Sequence, residues 1–279
     1  MKKVACVLMN KRRKIKEKMN TRYARSGMGT VAFFIVLFSL FFSPARAQIG
    51  EYRNEFAAGF NGGLMMSSVG FANYEVPQGQ LMGKTFGATL RYTGEKYFKS
   101  ICAIVAEVNY AQAGWKQRIW DAKDEPVING ETGEAEEYSR IIDYIQVPLF
   151  ARLGWGRERR GFQAFFQIGP QLGFYLSEKT EANYDLSARN ISKRVSKVYN
   201  QETMPVENKF DYGIAAGLGL EFSKPHIGHF MIEGRYYFGL GNIYANSKRD
   251  YFSKSNFYNI VIKATYLFDI VKSNNPKIK

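Results

Sequence analysis

Cysteine and histidine are almost missing from this chain, which has two of each among its 279 residues. Cys6 lies in a basic N-terminal segment, so Cys102 stands alone in the rest of the chain, which excludes an intramolecular disulfide and a cysteine metal cluster there. His226 and His229 fall in one predicted turn with no carboxylate beside them. For their H-x-x-H spacing, we favour a solvated turn over a metal site. No catalytic residue, metal or cofactor is predicted, and we do not expect an enzyme.

Long hydrophobic runs are also missing. Residues 48–279 contain no apolar run near the ~20 residues that a transmembrane helix needs. The apolar run before them, Val31–Phe42, has only twelve residues, which is too short to span a bilayer. Ten basic residues precede this run, and the small-residue stretch Ser43–Ala47 follows it. This order of parts is typical of a secretory signal peptide and favours it over an uncleaved membrane anchor.

The predicted signal peptide covers residues 1–47. Signal peptidase would read the small side chains of Ala45 and Ala47 and release Gln48 as the first mature residue. The residue directly after this cleavage site is Gln48 and not a cysteine, which argues against a lipid-modified protein. Three methionines are alternative starts: Met1, Met19 and Met28.

A strong charge imbalance is absent once the signal peptide is removed. The whole chain carries 39 Lys and Arg against 25 Asp and Glu, a net charge of +14. Residues 1–47 hold eleven of the basic and one of the acidic residues, which leaves 28 against 24 and a net charge of +4. The high pI is therefore mainly a property of the leader, and no nucleic-acid partner is predicted.

Strict alternation is the main pattern of the mature chain. Between Phe210 and Leu240 large apolar side chains alternate with glycines and charges, interrupted by a turn at Ser223–His229. Period two predicts strands with two different faces. Bulky apolar side chains suit a lipid-facing exterior, and glycines with charges suit a crowded polar interior. The pattern favours a membrane barrel over half of a soluble sandwich. Aromatic residues near the strand ends predict interfacial girdles: Tyr212, Phe222, Phe230 and Phe238.

Eight alternating segments are predicted. They are Phe56–Met66, Lys84–Tyr92, Ile101–Tyr110, Ile141–Leu153, Phe162–Tyr175, Phe210–Phe222, Phe230–Leu240 and Tyr258–Phe268. Each is close to the ~9–11 residues that a tilted strand needs to cross a bilayer. An even number of strands can close without the exposed edge that lipid forbids. We predict an all-β fold, an eight-stranded antiparallel up-and-down transmembrane β-barrel over residues 48–268, followed by a tail at 269–279.

Short and long connections alternate between these segments. The short ones are Thr93–Ser100, Gly154–Gly161 and Ser223–His229, and the long ones are Ser67–Gly83, Ala111–Arg140, Leu176–Lys209 and Gly239–Phe257. Outer-membrane barrels have short periplasmic turns and long extracellular loops. We therefore predict the bacterial outer membrane as the location, with both termini and the C-terminal tail in the periplasm.

Eight charged side chains are predicted to form a network in the lumen: Arg91, Arg152, Arg235 and Lys263 opposite Glu107, Asp211, Glu221 and Glu233. Four against four is the balance that buried charges require. The interior of an eight-stranded barrel is only wide enough for side chains to fill it, so we predict a plugged polar lumen. The same charges could instead line a proton or ion path.

Two connections carry charge that could act on a partner. The second long connection holds an acidic cluster of Asp121, Asp124, Glu134 and Glu137. We favour a solvated loop face as its interpretation over a patch that binds a cation or a partner. A mechanism using only these carboxylates stays open. The short connection Gly154–Gly161 is basic and contains a tryptophan, which fits either a hydrophilic turn or contact with phospholipid headgroups.

Four stretches carry a family resemblance: Tyr144–Gly154, Phe166–Ser177, Phe210–Phe222 and Ile232–Ile243. Through them the chain resembles the PorT-like outer-membrane β-barrel family of the Bacteroidetes. The resemblance implies the barrel and its location, and the family's namesake implies a link to type IX protein secretion. We expect a structural or interaction protein, accessory to secretion or envelope assembly, with outer-membrane lipid and envelope or secretion-complex proteins as partners. The alternative is a narrow channel or transporter for small solutes or ions.

Overall fold

Eight β-strands form the architecture of this protein, seen in a computed structural model that describes residues 50–71, 79–187, 191–244 and 254–273. The strands are β1 Glu51–Phe71, β2 Leu81–Tyr97, β3 Ser100–Arg118, β4 Glu137–Gly156, β5 Gly161–Ala182, β6 Phe210–Lys224, β7 Gly228–Gly239 and β8 Ser255–Val271. Each pairs antiparallel with the next, and β1 pairs with β8, which closes the barrel. The predicted fold is confirmed. The predicted signal peptide, with Ala45, Ala47 and Gln48, lies outside the described residues.

Alternating burial gives every strand two faces. On β7, Glu233 and Arg235 point inward and are buried, whereas Ile232 is 67% exposed. Large apolar side chains continue this exposed belt around the barrel: Phe60, Leu90, Ile104, Leu149, Ile168, Leu218 and Ile262. A soluble protein rarely exposes a continuous apolar surface of this extent. The belt is therefore the surface that meets lipid.

Aromatic rings border the apolar belt. Toward one end, Phe222 packs on Phe162 and Phe230 packs on Tyr266, with ring centroids 5.0 and 4.8 Å apart. Toward the other end, the ring centroids of Phe238 and Tyr258 are 5.3 Å apart. Rings in these positions suit the level where hydrocarbon meets water.

Most strands are longer than predicted, and the largest extensions, those of β3 and β5, are on the side of the long connections. The third strand continues from Tyr110 to Arg118, because its alternation continues: odd positions stay inward, while the outward residues change from apolar to polar. In this added part Trp115 is buried, and the outward residues are polar or charged, such as Gln112 and Lys116. A polar exterior over an apolar interior is the pattern of a wall that stands in water above the lipid.

Short and long connections alternate around the barrel. The turns between strands cover 98–99, 157–160 and 225–227, and the longer connections cover 72–80, 119–136, 183–209 and 240–254. We call 119–136 loop 2 and 183–209 loop 3, and the two rims the short-turn end and the long-loop end. Loop 3 contains two 3-10 helices, Ile191–Lys193 and Asn200–Glu202. Within the described ranges, no helix is long and apolar enough to cross a membrane.

The C-terminal boundary of the barrel differs from the predicted one. The last strand ends at Val271, where the sequence pattern placed the limit at Phe268. The added residues include Asp269, whose carboxylate binds a residue of β7 inside the barrel. Of the predicted tail, residues 274–279 lie outside the described part of the chain.

Candidate functional site

The lumen is the candidate functional site, since all eight strands place polar side chains in it. The structure buries each charged residue that the sequence placed there: Arg91, Glu107, Arg152, Asp211, Glu221, Glu233, Arg235 and Lys263. All of them occupy the inward positions of their strands. Seven of the eight form two clusters of ion pairs, and Asp211 lies apart from both.

The first group, which we call the central cluster, consists of Glu107, Glu233, Arg235 and Lys263. The two terminal nitrogens of Arg235 donate to the two carboxylate oxygens of Glu107, each at 3.0 Å. Lys263 Nζ donates to the same carboxylate at 2.7 Å, and Arg235 Nε donates to Glu233 at 2.8 Å. Two acids and two bases leave the cluster without net charge, so it is well suited to a lumen that excludes water.

The second group, which we call the short-turn cluster, surrounds Glu221. Arg91 donates to both carboxylate oxygens of Glu221 at 2.8 Å, and Arg152 also donates to this carboxylate. His229 Nδ1 lies 2.6 Å from Glu221 Oε1, and its Nε2 lies 2.8 Å from Asp269 Oδ1. The cluster therefore joins β2, β4, β6, β7 and β8 across the lumen.

The environment of His229 corrects the sequence interpretation, which placed it in a solvated turn without a carboxylate. The turn is shorter than predicted, and β7 restarts at Gly228, whose φ of +125° favours glycine. This turns the imidazole inward, where it is buried between two carboxylates. Asp269 could not be linked to it because the predicted last strand ended one residue earlier.

Ser223, His229 and Asp269 resemble a nucleophile–base–acid series, since Ser223 Oγ lies 2.8 Å from His229 Nδ1. The same Nδ1, however, lies 2.6 Å from Glu221. An ionised carboxylate only accepts hydrogen bonds, so both ring nitrogens donate, and none is left to take a proton from the serine. The arrangement is an imidazolium held between acids, and it does not activate Ser223 for catalysis.

Two inward aromatic rings lie against the charge clusters. The guanidinium of Arg152 lies 3.8 Å from the ring centroid of Phe165, and that of Arg235 lies 4.4 Å from the ring centroid of Phe150. These contacts add attraction from the aromatic faces. The sequence interpretation assigned neither phenylalanine to the lumen, although both stand at inward positions of the alternation.

Asp211 departs from the predicted network of four acids and four bases. Its carboxylate accepts a hydrogen bond of 2.6 Å from the hydroxyl of Tyr237. Among the ion pairs of the described residues, Asp211 appears in none. The charged residues of the lumen therefore lie at three different levels along the barrel. At the level of Asp211, a tyrosine takes the place of the cation that the sequence pattern suggested.

The short-turn end is closed by the β4–β5 turn at 157–160. Glu158 in this turn points under the barrel, where Arg53 and Lys96 donate to it at 3.1 and 2.6 Å. Burial raises the pKa of Glu158, but the two cations lower it by more than burial raises it. The pKa of Glu158 therefore lies below its usual range. Between this turn and the short-turn cluster lies a cavity of about 20 Å³, room for about one water molecule.

The long-loop end is closed by apolar side chains, which corrects the prediction of a plug made of polar side chains. Above the central cluster the inward residues form one hydrophobic core: Met65, Val69, Trp115, Tyr138, Ile142, Tyr144, Tyr244 and Phe257. Trp115 Nε1 donates to Tyr138 Oη at 3.2 Å, and Tyr138 donates to Gln117 at 2.7 Å. We call this group the apolar cap. Among the described residues, these buried side chains pack together above the central cluster and close this end of the barrel.

Loop 3 folds back onto the apolar cap and is held by Arg140. This inward residue of β4 donates to Glu178 at 2.6 Å and to the carbonyl oxygen of Met204 at 2.8 Å. Glu178 in turn accepts the backbone N–H of Val206 at 3.2 Å. Arg140 therefore replaces the hydrogen bonds that the buried loop backbone would otherwise make with water.

Loops 2 and 3 also bind each other. Arg194 of loop 3 donates to Glu202 at 2.7 Å and to Glu136 of loop 2 at 3.3 Å. The backbone N–H of Val195 donates to the carbonyl of Trp120 at 3.0 Å. In their described residues, the two loops therefore form one packed surface at the long-loop end.

Two members of the predicted acidic cluster serve local structure: Asp121 in loop 2 and Glu137 at the start of β4. Asp121 accepts the backbone N–H groups of Glu125 and Lys123, which lower its pKa. Glu137 pairs with Lys116 at 2.6 Å. Among the residues described, no three His, Cys, Asp or Glu side chains converge where a metal ion could bind.

Comparison with known proteins gives one family match. A family model described as outer membrane protein beta-barrel domain matches residues 46–245. A comparison with curated proteins finds no match.

The solved outer-membrane barrels that match this chain share little sequence with it. Ail, the attachment invasion locus protein of Yersinia pestis, is 15% identical, with 78% of this chain and 99% of that chain covered and a TM-score of 0.30. OprG from Pseudomonas aeruginosa is 14% identical, with 78% and 98% covered and a TM-score of 0.39. AlkL is 13% identical, with 82% and 96% covered and a TM-score of 0.35. Similarity of this degree carries no information on a ligand or partner.

Proposed function

The chain belongs to the outer membrane protein β-barrel domain family, and from this premise we propose that it is a closed barrel whose loops form a binding platform for other envelope proteins. The observation that carries the proposal is the closure of the lumen at both ends. Glu158 and its cations fill the short-turn end, and the apolar cap around Trp115 fills the other. Solute passage would require both closures and two ion-pair clusters to move.

The platform is formed by loops 2 and 3. Their contacts with each other and with Arg140 order them before any partner arrives. Binding by an ordered surface costs less conformational entropy than binding by flexible loops. The surface also exposes apolar side chains, since Trp120 is 39% and Val195 56% exposed. Apolar side chains exposed above the membrane are candidates for the centre of a protein contact.

Orientation and biological role are part of the same proposal. The signal-peptide pattern and the asymmetry of the connections support an extracellular platform with both termini in the periplasm. The resemblance to the PorT-like family supports an accessory role in protein secretion or envelope assembly. No catalytic role is proposed, because the two carboxylates hold both nitrogens of His229.

Conductance separates this function from that of a narrow channel. Purified protein inserted into planar bilayers should show no stable open state, while a porin inserted by the same procedure supplies the positive control. Reproducible single-channel steps from the full chain would contradict the closed barrel.

Complementation tests the platform. A deletion strain should change its secreted or surface proteome relative to the parent, and the wild-type gene should restore it. A variant with 191–209 replaced by a short Gly-Ser linker should insert as a folded barrel but fail to restore the proteome. Full restoration by this variant would show that the loops are not the active surface.

A further inference from the structure

A groove of about 490 Å³ lies on the outer wall of the barrel near the short-turn end, across β1 to β4. Its volume falls in the range of about 300–1,000 Å³ that small-molecule sites occupy. The residues that matter for its chemistry are Asn54, Glu95 and Tyr97 at one end and Ile104, Ala151 and Leu153 at the other. Of the lumen clusters only Arg152 reaches the groove, and no residue of the loop platform lines it.

Two neighbouring irregularities recess the wall at this point. The β1–β2 register shifts between Tyr52 and Glu55, and the β2–β3 register shifts between Thr93 and Glu95. Bulges of this kind bend the strand and redirect its side chains. Asn54 at the first shift has a φ of +47°, a backbone conformation that non-glycine residues rarely adopt. Such local strain is often found where a structure binds a ligand.

The two ends of the groove differ in chemistry. Ile104 and Leu153 are 55% and 40% exposed and belong to the lipid-facing belt. At the other end, the groove is lined by the phenol of Tyr97 and by the half-buried carboxylate of Glu95. Glu95 makes no ion pair with any cationic side chain in the described part of the chain. The groove therefore joins hydrocarbon to a carboxylate without a cation.

We propose that this groove binds an amine-headed diacyl phospholipid of the adjoining leaflet. The occupant must come from the membrane, because the apolar end of the groove opens toward it. Of the lipid headgroups, one with an ammonium complements Glu95, and a charge-assisted hydrogen bond is the strong kind.

The phosphate of the same lipid would meet Asn54. The hydroxyl of Tyr92 donates to Asn54 Oδ1 at 2.9 Å, which leaves the amide nitrogen as a donor for a phosphate oxygen. Arg152 touches the inner end of the groove, but its guanidinium is bound to Glu221 and Gln163 in the lumen. The acyl chain would then lie along Ile104 and Leu153.

Lipid retention tests the site. The full-length protein is reconstituted with equal amounts of phosphatidylethanolamine and phosphatidylcholine of the same acyl chains, extracted mildly and examined by native mass spectrometry. The wild type should retain phosphatidylethanolamine about tenfold more than phosphatidylcholine, since one charge-assisted bond distinguishes the two headgroups. Glu95→Gln, which is nearly isosteric, should abolish the preference.

Filling the groove gives the second arm. Ala151→Phe should lower retention of both lipids, whereas Ala164→Phe, at an exposed position of β5 outside the groove, should leave it unchanged. Folding of each variant is checked by its gel shift on boiling. Equal retention of the two lipids by the wild type, an unchanged preference in Glu95→Gln or unchanged binding in Ala151→Phe would each overturn the proposal. None of these results depends on whether the loops bind a partner.

Discussion

Arg235 of β7 reaches across the lumen to Glu107 of β3 and meets both carboxylate oxygens at 3.0 Å. The two residues are 128 positions apart in the sequence. A planar guanidinium facing a carboxylate with two parallel hydrogen bonds fixes orientation as well as distance. The pair therefore sets the separation of two walls that share no backbone hydrogen bonds.

Removing Arg235 tests the central cluster. Arg235→Ala leaves Glu107 and Glu233 with Lys263 as their remaining cation, and breaking a buried pair typically costs about 3–5 kcal/mol. Urea unfolding in liposomes should show a loss of this size. Arg118→Ala, at a position whose side chain is 64% exposed, is the matched control and should change little. A near-neutral Arg235→Ala would show that the cluster does not stabilise the barrel.

The faces of the strands could be read from the sequence, but the partners of the lumen charges could not. Alternation decides whether Arg235 or Ile232 points inward, because it is a property of one strand. Which acid Arg235 meets depends on the stagger of strands around the closed barrel, which no single strand encodes. This is why Asp211 was assigned to the charge network, although its partner is Tyr237.

The apolar cap could not be predicted from the lipid-facing alternation, for a different reason. Up to Tyr110, apolar residues of β3 at even positions face lipid, such as Val108 at 53% exposure. Beyond it the even positions turn polar or charged, such as Gln112 and Lys116, and the inward Trp115 is buried. This change of the outward residues from apolar to polar marks where the wall leaves the bilayer. A search for lipid-facing alternation therefore stops at the membrane surface and misses the core above it.

Two substitutions at Ile232 test the lipid-facing belt. Its side chain is 67% exposed, so Ile232→Ala leaves no closed cavity, because lipid can fill the space, and should be mild. Ile232→Arg should cost roughly 2–4 kcal/mol through burial of a charge in hydrocarbon. The same unfolding measurement gives both values. A severe effect of Ile232→Ala with a neutral effect of Arg235→Ala would instead indicate an inside-out, soluble barrel.

Arg140→Met should release loop 3 from the barrel. The substitution keeps an unbranched side chain but removes the donors to Glu178 and to the Met204 carbonyl. Limited trypsin digestion of the purified protein should then cut faster at the exposed Lys193 and Lys197, because cleavage requires local opening. Arg118→Met, on the outer face of β3, should digest like the wild type. Unchanged cleavage in Arg140→Met would mean that other contacts hold the loop.

Glu158 should make the short-turn end sensitive to acid. Its pKa lies below the usual 4.5, so the stabilisation from Arg53 and Lys96 is complete above that pH and is lost as the pH falls through the lowered pKa. The difference in urea midpoint between wild type and Glu158→Gln should therefore shrink from about pH 7 to about pH 3. Glu131→Gln, in exposed loop 2, supplies the control. A difference that stays constant with pH would exclude an ionised Glu158.

Accessibility on intact cells tests the orientation, on which the platform depends. Loop 2 exposes Lys123, and the turn at 157–160 exposes Arg157 and Arg160 at the opposite rim. If the long-loop end is extracellular, added trypsin should cleave at Lys123 first and leave the opposite turn intact. A tag inserted at 225–227 should bind antibody only after permeabilisation, while a tag in loop 2 should bind at once. The reverse order would place the long loops in the periplasm, where the ordered surface of loops 2 and 3 could meet only periplasmic partners.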